Sequence, residues 1–227
     1  MRVDYRSRLL GWLLEEHFFV KRAILQRLPG AVRLRLHVNE RVVEVPFALD
    51  RLEGTEGRIL DLGCAESALP LMLAARGHDV VGLDIRPWPF PHPHVRFTLA
   101  DARALPFRDG TFAAVSMISS VEHVGLGFYG DAKDRAGDTK ACREAKRVTA
   151  PDGRLVLTVP FGRRAISNLQ RVYDAASLKE LLSGWTVEEK RFYVREELQW
   201  LPADEATAGR RQSVPGTEAV ALVVARR

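Results

Sequence analysis

The hydrophobic pattern of the N-terminal quarter predicts a helix followed by a hairpin. Apolar residues recur at helical spacing through residues 5–28, and a Pro-Gly pair ends that pattern. The next stretch, VRLRLHVNERVVEVPF, alternates apolar and polar residues on both sides of Asn39-Glu40. A turn at that pair would place Leu36 opposite Val43 with apolar side chains on one face, as cross-strand packing requires. We therefore expect residues 1–56 to form an extension made of one helix and one β-hairpin.

From residue 58 onward, short apolar runs of strand length follow one another at regular intervals. The first five are RILDL, DVVGLD, VRFTLAD, FAAVSMIS and GRLVLTVPF. Two more strand candidates lie at Thr186–Val194 and Ala219–Ala225. The pattern thus predicts a sheet of seven strands.

Helical stretches separate several of these runs. They are SALPLMLAARG, TKACREAKRVTA and Ala175–Leu182. Asp138 is available as the N-cap of the second, and the third follows Asp174. Strands that alternate with helices form a parallel sheet with helices on both faces. We expect an α/β fold, with a doubly wound, mostly parallel, seven-stranded Rossmann-like sheet in residues 57–227.

The composition narrows the class of protein. The chain has 227 residues, 46% of them hydrophobic and 28% charged, which suits a folded domain with a full core. No apolar run approaches the roughly 20 residues of a membrane span, and the charged N-terminus is unlike a signal peptide. Cys64 and Cys142 are the only cysteines, so a disulfide framework is not expected. We expect a cytoplasmic protein with no membrane partner.

Basic residues are concentrated near the N-terminus. The net charge is +5, and within residues 1–45 nine Lys or Arg residues oppose five Asp or Glu residues. This excess has two interpretations, a surface for an anionic partner such as RNA or a solvated basic face. Aromatic residues are not interleaved with these arginines, which favours the solvated face. The same extension is a candidate cover for the substrate side, or a contact in a homodimer.

Candidate chemistry lies at the carboxyl ends of the first four predicted strands, where ligands bind in open α/β sheets. In strand order the residues are Asp61 and Gly63, Asp84, Asp101 and Ala102, and Glu122 and His123. Gly63 permits a tight turn and the close approach of a ligand. An acid at the end of the second strand can accept hydrogen bonds from both hydroxyls of a ribose. A carboxylate at the end of the third strand can accept a hydrogen bond from an exocyclic amine.

In these segments the sequence resembles the class I S-adenosylmethionine-dependent methyltransferases. ILDLGCAES, VVGLDI and LADARALPFRDGTFAAV resemble the first three family motifs, and SMISSVEHV resembles the fourth. EAKRVTAPDGRLVLTVPFG resembles the closing helix and fifth strand. The resemblance covers residues 57–160 well and the later strands loosely. It implies that residues 57–227 form a methyltransferase domain with S-adenosyl-L-methionine as cofactor.

The resemblance also assigns residues to the cofactor. Those implied for its methionine portion are Asp61, Gly63, Cys64, Ala65, Met117 and Ile118. Those implied for its ribose and adenine are Asp84, Ile85, Asp101 and Ala102. No base lies near Cys64 in the sequence, so we interpret its thiol as a packing group rather than a nucleophile.

The first loop departs from the family pattern. Ala65 and Ser67 stand where glycines are usual, and Ala113 replaces a common acid. Alanine fits such a turn only where φ is negative. An NAD-binding dehydrogenase would need Gly-x-Gly-x-x-Gly, but no glycine follows Gly63 until Gly77, which counts against that alternative. A non-catalytic module that has lost its cofactor stays open as a different class.

Two segments after the fourth strand are candidates for the acceptor side. His123 is the candidate base, with Glu122 beside it, because an imidazole titrates near neutral pH; its alternative role is to orient the loop. The stretch GLGFYGDAKDRAGD, residues 125–138, predicts a mobile lid. Within it, Tyr129 and Asp131 are candidates to bind acceptor hydroxyls.

Neither a metal site nor base N-methylation is favoured. Three aspartates of the lid segment might hold a cation, but Lys133 and Arg135 intervene and no flanking histidine completes a ligand set, so we expect no metal. The fourth-strand segment reads Ser-Met-Ile-Ser-Ser, unlike the Asn-Pro-Pro-Tyr signature of base N-methylation. We therefore expect O-methylation of a small-molecule or saccharide hydroxyl, with RNA as the alternative acceptor.

Overall fold

A computed structural model describes residues 39–227, apart from residues 66, 89, 91 and 214–215. The described strands are β1 Arg58–Leu62, β2 Asp79–Asp84, β3 Val95–Leu99, β4 Phe112–Ile118, β5 Thr149–Pro160, β6 Ala165–Ile166, β7 Arg171–Val172, β8 Thr186–Glu196, β9 Gln199–Ala203 and β10 Ala219–Arg226. The helices are α1 Arg41–Leu52, α2 Leu69–Ala74, α3 Gly137–Val148, α4 Ala175–Leu181 and α5 Glu205–Gly209, and a 3-10 turn covers Val121–His123. No helix in the described part of the chain is long and apolar enough to cross a membrane.

One large sheet organises the molecule, with the strand order β3-β2-β1-β4-β5-β10-β8-β9. The strands from β3 to β5 in this order pair in parallel, and β10, β8 and β9 add antiparallel pairs. The predicted doubly wound, Rossmann-like sheet is confirmed. It has one more strand than predicted, because β9 pairs with β8 at the edge, and the small β6–β7 ladder was not predicted.

Side chains on β1 alternate between two cores, one on each face of the sheet. Ile59 packs in the core that includes residues of α1 and α2, whereas Leu60 and Leu62 pack in the core that includes residues of α3 and α4. Strands buried on both faces read as continuous apolar runs. This explains why RILDL and its neighbours were recognisable as strands.

The predicted hairpin is wrong over its second half, because residues 41–52 form helix α1. Glu44, Phe47, Ala48 and Leu52 recur at helical spacing and are buried. Local β-propensity of the Val-rich run favoured a strand, but packing of this stripe against the sheet decides the structure. The first half of the hairpin and the N-terminal helix lie outside the described residues. The boundary between residues 56 and 57 stays a prediction.

Two aspartates at the starts of helices have different roles. Asp174 caps α4, because its carboxylate accepts the Ser177 N–H at 2.8 Å and the Ser177 hydroxyl accepts the Asp174 N–H at 3.0 Å. Asp138 does not cap α3, because the helix begins at Gly137 and has Ala136 at its N-cap position. The Asp138 carboxylate instead accepts the Tyr173 hydroxyl at 2.9 Å.

Candidate active site

A cleft opens at the carboxyl ends of β1 to β4, where the strand order reverses between β1 and β4. On the side predicted for the cofactor it is lined by Gly63, Asp84, Ile85, Asp101, Ala102 and Met117. On the side predicted for the acceptor it is lined by His123, Tyr129 and Asp131. Parallel strands end at one edge of the sheet, so residues far apart in the sequence meet here.

Five predicted residues are not among those that line the cleft. These are Asp61, Cys64, Ala65, Ile118 and Glu122. The Asp61 carboxylate is buried and accepts the Ser116 hydroxyl at 2.6 Å, and burial raises the pKa of Asp61 to about 7. Cys64 packs against Gly82, and burial raises the pKa of its thiol far above the ordinary range. The interpretation of Cys64 as a packing residue fits this environment.

The loop after β1 requires glycine at only one of the positions in question. Gly63 has φ of 81°, and a Cβ at this position would lie 2.4 Å from the Cβ of Ser120. The described non-glycine residues with positive φ are Ser119, Asp152 and Glu197, so Ala65 and Ser67 lie outside that strained region. Alanine and serine are therefore accommodated without backbone strain.

Asp84 joins the loops that follow β1 and β2. One carboxylate oxygen accepts the N–H of Ala65 at 2.9 Å, and the other accepts the N–H of Arg86 at 2.8 Å. A carboxylate has about four acceptor positions, so the same group can also accept hydrogen bonds from a ligand in the cleft. The hydrogen bond from Ala65 fixes the backbone of the loop two residues after Gly63.

Asp101 is held in its ionised form by Arg103. The guanidinium donates to both carboxylate oxygens, with the shortest distance 2.6 Å from Nη2, and these hydrogen bonds lower the pKa of Asp101. Arg103 also donates to the carbonyl of Ala132 at 2.7 Å. The third strand end is thereby connected to residues 125–138, which we call the lid segment.

The lid segment is braced from within. The carboxylate of Asp131 accepts the N–H of Gly125 at 2.5 Å and that of Gly127 at 3.0 Å. Arg171, which is 5% exposed, donates to the carbonyl of Val124 at 2.7 Å and lies 3.4 Å from the carboxylate of Asp138. Asp131 therefore organises the loop, and its contact with an acceptor hydroxyl stays a prediction. The described residues contain no group of three or more potential metal ligands.

His123 has a defined orientation. Its Nδ1 lies 2.6 Å from the carbonyl oxygen of Leu169, and because a carbonyl only accepts hydrogen bonds, Nδ1 carries the proton. In the neutral ring Nε2 is then the basic nitrogen. Nε2 is 3.7 Å from the carboxyl of Glu122, and burial raises the pKa of Glu122 to about 8. Burial therefore favours the neutral form of Glu122.

An aromatic stack covers this part of the cleft. The Tyr129 ring meets the His123 ring edge-to-face at a centroid distance of 5.4 Å, and the guanidinium of Arg86 lies 4.1 Å from the centroid of Tyr129. Cation–π contacts of this kind contribute about 0.5–1 kcal/mol at exposed sites. Arg86 links the second strand end to the lid segment, and the sequence analysis did not identify it.

Further residues of the cleft were missed, among them the polar residues Arg41, Ser119 and Ser120. Arg41 was missed because its segment was read as a strand. The two serines stand inside the fourth motif, but nothing in their spacing distinguished them from ordinary turn residues. Within the described chain the Ser120 hydroxyl is buried and has no hydrogen-bond partner, which is unusual unless a ligand satisfies it.

These features fit a nucleoside cofactor with a cationic amino-acid portion. A Cβ at Gly63 would collide with Ser120, and Ser120 offers an unsatisfied hydroxyl. Asp84 and Asp101 line the cleft as carboxylate acceptors, and their assignment to ribose hydroxyls and an adenine amine stays a prediction. The fold and this site define a class of protein, the Rossmann-like methyltransferases.

Comparison with known proteins agrees. Residues 60–157 match a methyltransferase-domain family. The demethylmenaquinone methyltransferase of Thermus thermophilus is 36% identical over 171 residues, which cover 68% of this chain and 72% of that protein. The chain belongs to the class I S-adenosylmethionine-dependent methyltransferases, and S-adenosyl-L-methionine is its cofactor.

Solved structures share the fold at low sequence identity. A methyltransferase from Methanosarcina mazei has a TM-score of 0.57 at 17% identity, and the match covers 79% of this chain and 96% of that one. The 1,6-didemethyltoxoflavin N1-methyltransferase of Burkholderia thailandensis, solved with its acceptor and S-adenosylhomocysteine, has a TM-score of 0.58 at 14% identity. That match covers 100% of this chain and 91% of the other.

Proposed function

We propose that this methyltransferase methylates a hydroxyl group of a small molecule or saccharide, with His123 as the general base. The observation that carries this proposal is the hydrogen bond from Nδ1 of His123 to the Leu169 carbonyl, which leaves Nε2 as the basic nitrogen of a ring that lines the cleft. A base placed to remove a proton contributes about 10²–10⁴-fold to such a reaction. Glu122, next to the ring, orients it and stays neutral near pH 7.

The chain's own residues have distinct roles in this proposal. Asp84 accepts hydrogen bonds from the ribose hydroxyls, and Ile85 packs against the adenine. Asp101, with Ala102, accepts a hydrogen bond from the adenine amine, and Arg103 favours the ionised form of the Asp101 carboxylate. When bound, the cofactor supplies an electrophilic methyl group on a sulfonium. His123 then takes the acceptor's proton, and the lid segment positions the acceptor and excludes water.

The relative from Thermus thermophilus favours a second candidate acceptor, a hydroxylated ring of the quinol type. Its name gives demethylmenaquinone as the acceptor. Proton removal from a ring hydroxyl also activates the neighbouring ring carbon, so the same base serves transfer to carbon or to oxygen. The exposed Phe128 beside Tyr129 offers such a ring an apolar contact. RNA is less favoured, since its support is the basic composition of residues 1–45, where aromatic residues are not interleaved with the arginines.

The test is a methyl-transfer screen with radiolabelled cofactor against phenols, quinols, saccharides and RNA. We expect wild type to methylate a hydroxylated small molecule or saccharide, and His123→Asn to lose about 10²–10⁴-fold in kcat. Binding of S-adenosylhomocysteine should stay within about twofold in this variant, because His123 faces the acceptor. Full activity of His123→Asn would remove the base from the proposal, and methylation of RNA alone would replace the acceptor class.

A further inference from the structure

A carboxyl group lies buried directly behind the cleft wall. Glu44 of α1 has no solvent exposure, and its Oε1 accepts the Ser119 hydroxyl at 2.6 Å. Its Oε2 lies 3.6 Å from Nη1 of Arg41, one helical turn earlier. A buried carboxyl is costly unless it is paired and hydrogen-bonded. The position of Glu44 therefore depends on two residues that both line the cleft.

Arg41 is fixed by backbone carbonyls at the end of β4. Its Nη1 donates to the carbonyl of Ile118 at 2.7 Å, and its Nη2 to that of Ser119 at 3.5 Å. These two hydrogen bonds use two of the five N–H donors of a guanidinium. The side chain is 38% exposed, so the group is positioned by the protein and still accessible from the cleft.

Ser119 has a backbone conformation that needs support. Its φ is 42°, in the left-handed region that costs a non-glycine residue about 1–3 kcal/mol. Its N–H donates to the carbonyl of Thr158 at 3.1 Å and to the hydroxyl of Thr158 at 3.0 Å, while its own hydroxyl donates to Glu44. The strained turn, Glu44 and Arg41 thus form one connected unit between α1 and β4.

The charge of this unit suits one end of the cofactor. Its methionine portion, which we place beside Gly63 and Met117, ends in a carboxylate. An arginine held in one orientation binds a carboxylate through paired hydrogen bonds, which a flexible cation does less well. Arg41 is the cleft-lining cation on α1 and β4, the two elements that meet at that end.

We propose that Arg41 binds the carboxylate of the cofactor's methionine portion and that Glu44 is a positioning residue that holds Arg41 and Ser119 for this contact. The inference rests on the placement of the cofactor in the proposed function. It makes α1, which precedes the matched family region, a part of the cofactor site. Glu44 acts through its neighbours and does not touch the cofactor.

The test compares two ligands by calorimetric titration. S-adenosylhomocysteine contains the amino-acid portion, whereas 5′-methylthioadenosine has the same nucleoside and thioether without it. We expect Arg41→Met to weaken binding of S-adenosylhomocysteine by about 10- to 100-fold and to leave binding of methylthioadenosine within about twofold. Glu44→Gln, which keeps a side-chain oxygen for Ser119 but no charge, should show the same selectivity at about 3- to 10-fold.

Arg51→Met is the matched control, because Arg51 is on α1 but pairs with Glu189 away from the cleft. It should bind both ligands as wild type does. Equal weakening of both ligands by Arg41→Met, or no weakening of either, would overturn the inference while leaving the cofactor placement standing. If folded wild-type protein bound neither ligand, the placement and the inference would both be overturned.

Discussion

The two walls of the cleft use the same residue types in opposite ways. At the ends of β2 and β3, Asp84 and Asp101 lie on the cleft surface with N–H donors around them, and Arg103 lowers the pKa of Asp101. Behind the wall formed by α1 and the end of β4, burial raises the pKa of Glu44 to about 7 and that of Glu122 to about 8. Burial and neighbouring donors, rather than residue type, set the direction of the pKa shifts of Asp101, Glu44 and Glu122.

This difference assigns different roles to the two walls. Carboxylates that line the cleft, as those of Asp84 and Asp101 do, are suited to accept hydrogen bonds from a ligand. Buried carboxyls whose pKa values are raised to about 7 or 8 are suited to hold other residues, as Glu44 holds Ser119 and Arg41. A substitution of Asp84 or Asp101 should therefore change ligand binding directly, whereas one of Glu44 or Glu122 should change stability and pH response and should affect binding only through the position of its neighbours.

The largest expected effect comes from Gly63→Ala, where the two walls meet. The added Cβ would contact Ser120 at 2.4 Å in a backbone with φ of 81°. We expect binding of S-adenosylhomocysteine to weaken by more than about 100-fold and the free energy of unfolding to fall by about 1–3 kcal/mol. Calorimetry and urea unfolding measure both. Ala65→Gly is the control and should change affinity less than about threefold; near-wild-type binding by Gly63→Ala would contradict the close approach.

The second prediction concerns pH and tests the buried wall. Glu44, Asp61 and Glu122 have folded pKa values raised to about 7, 7 and 8, from ordinary values of 4.5, 3.8 and 4.5. For these three groups the folded state binds more protons than the unfolded state, so their contribution to stability falls as the pH rises above about 4.5 and is fully lost once the pH has passed 7 to 8. Between pH 5.5 and 9 we expect a loss on the order of 1–3 kcal/mol.

Urea unfolding across that pH range measures this loss. Glu44 interacts electrostatically with Arg41, Glu40 and Glu122. Glu44→Gln should reduce the pH dependence without abolishing it, because Asp61 and Glu122 remain. Stability that rises from pH 5.5 to pH 9 would show that these carboxyls are ionised in the folded state. The distinction between the two walls would then fail.

The smallest expected effect is at the lid segment. Asp131→Asn removes the charge that accepts two backbone N–H groups, from Gly125 and Gly127. We expect a stability loss of about 1 kcal/mol and a rise in the acceptor KM with cofactor affinity unchanged. Lys133→Ala, within the same loop, serves as the control. A large loss of cofactor affinity in Asp131→Asn would mean that the lid segment belongs to the cofactor wall.

The strand ends could be predicted from the sequence because each strand has its own local hydrophobic signal and the same pattern repeats along the chain. Each buried strand is a short apolar run, and parallel strands bring their carboxyl ends to one edge, so Asp84 and Asp101 were found from order alone. Arg41 was not found, since the Val-rich run around it favours a strand locally and only packing on the sheet makes it a helix. Arg103 and Arg171 brace the lid segment through contacts with distant carbonyls that no spacing reveals.

The most direct test of the account is a titration of S-adenosylhomocysteine into wild type and Asp84→Asn. Asp79→Asn, at the other end of the same strand, is the matched control. The account predicts micromolar binding by wild type and by Asp79→Asn, and a loss of about 10-fold or more in Asp84→Asn. Unchanged affinity in Asp84→Asn, or no binding by folded wild type, would contradict a cofactor site at these strand ends.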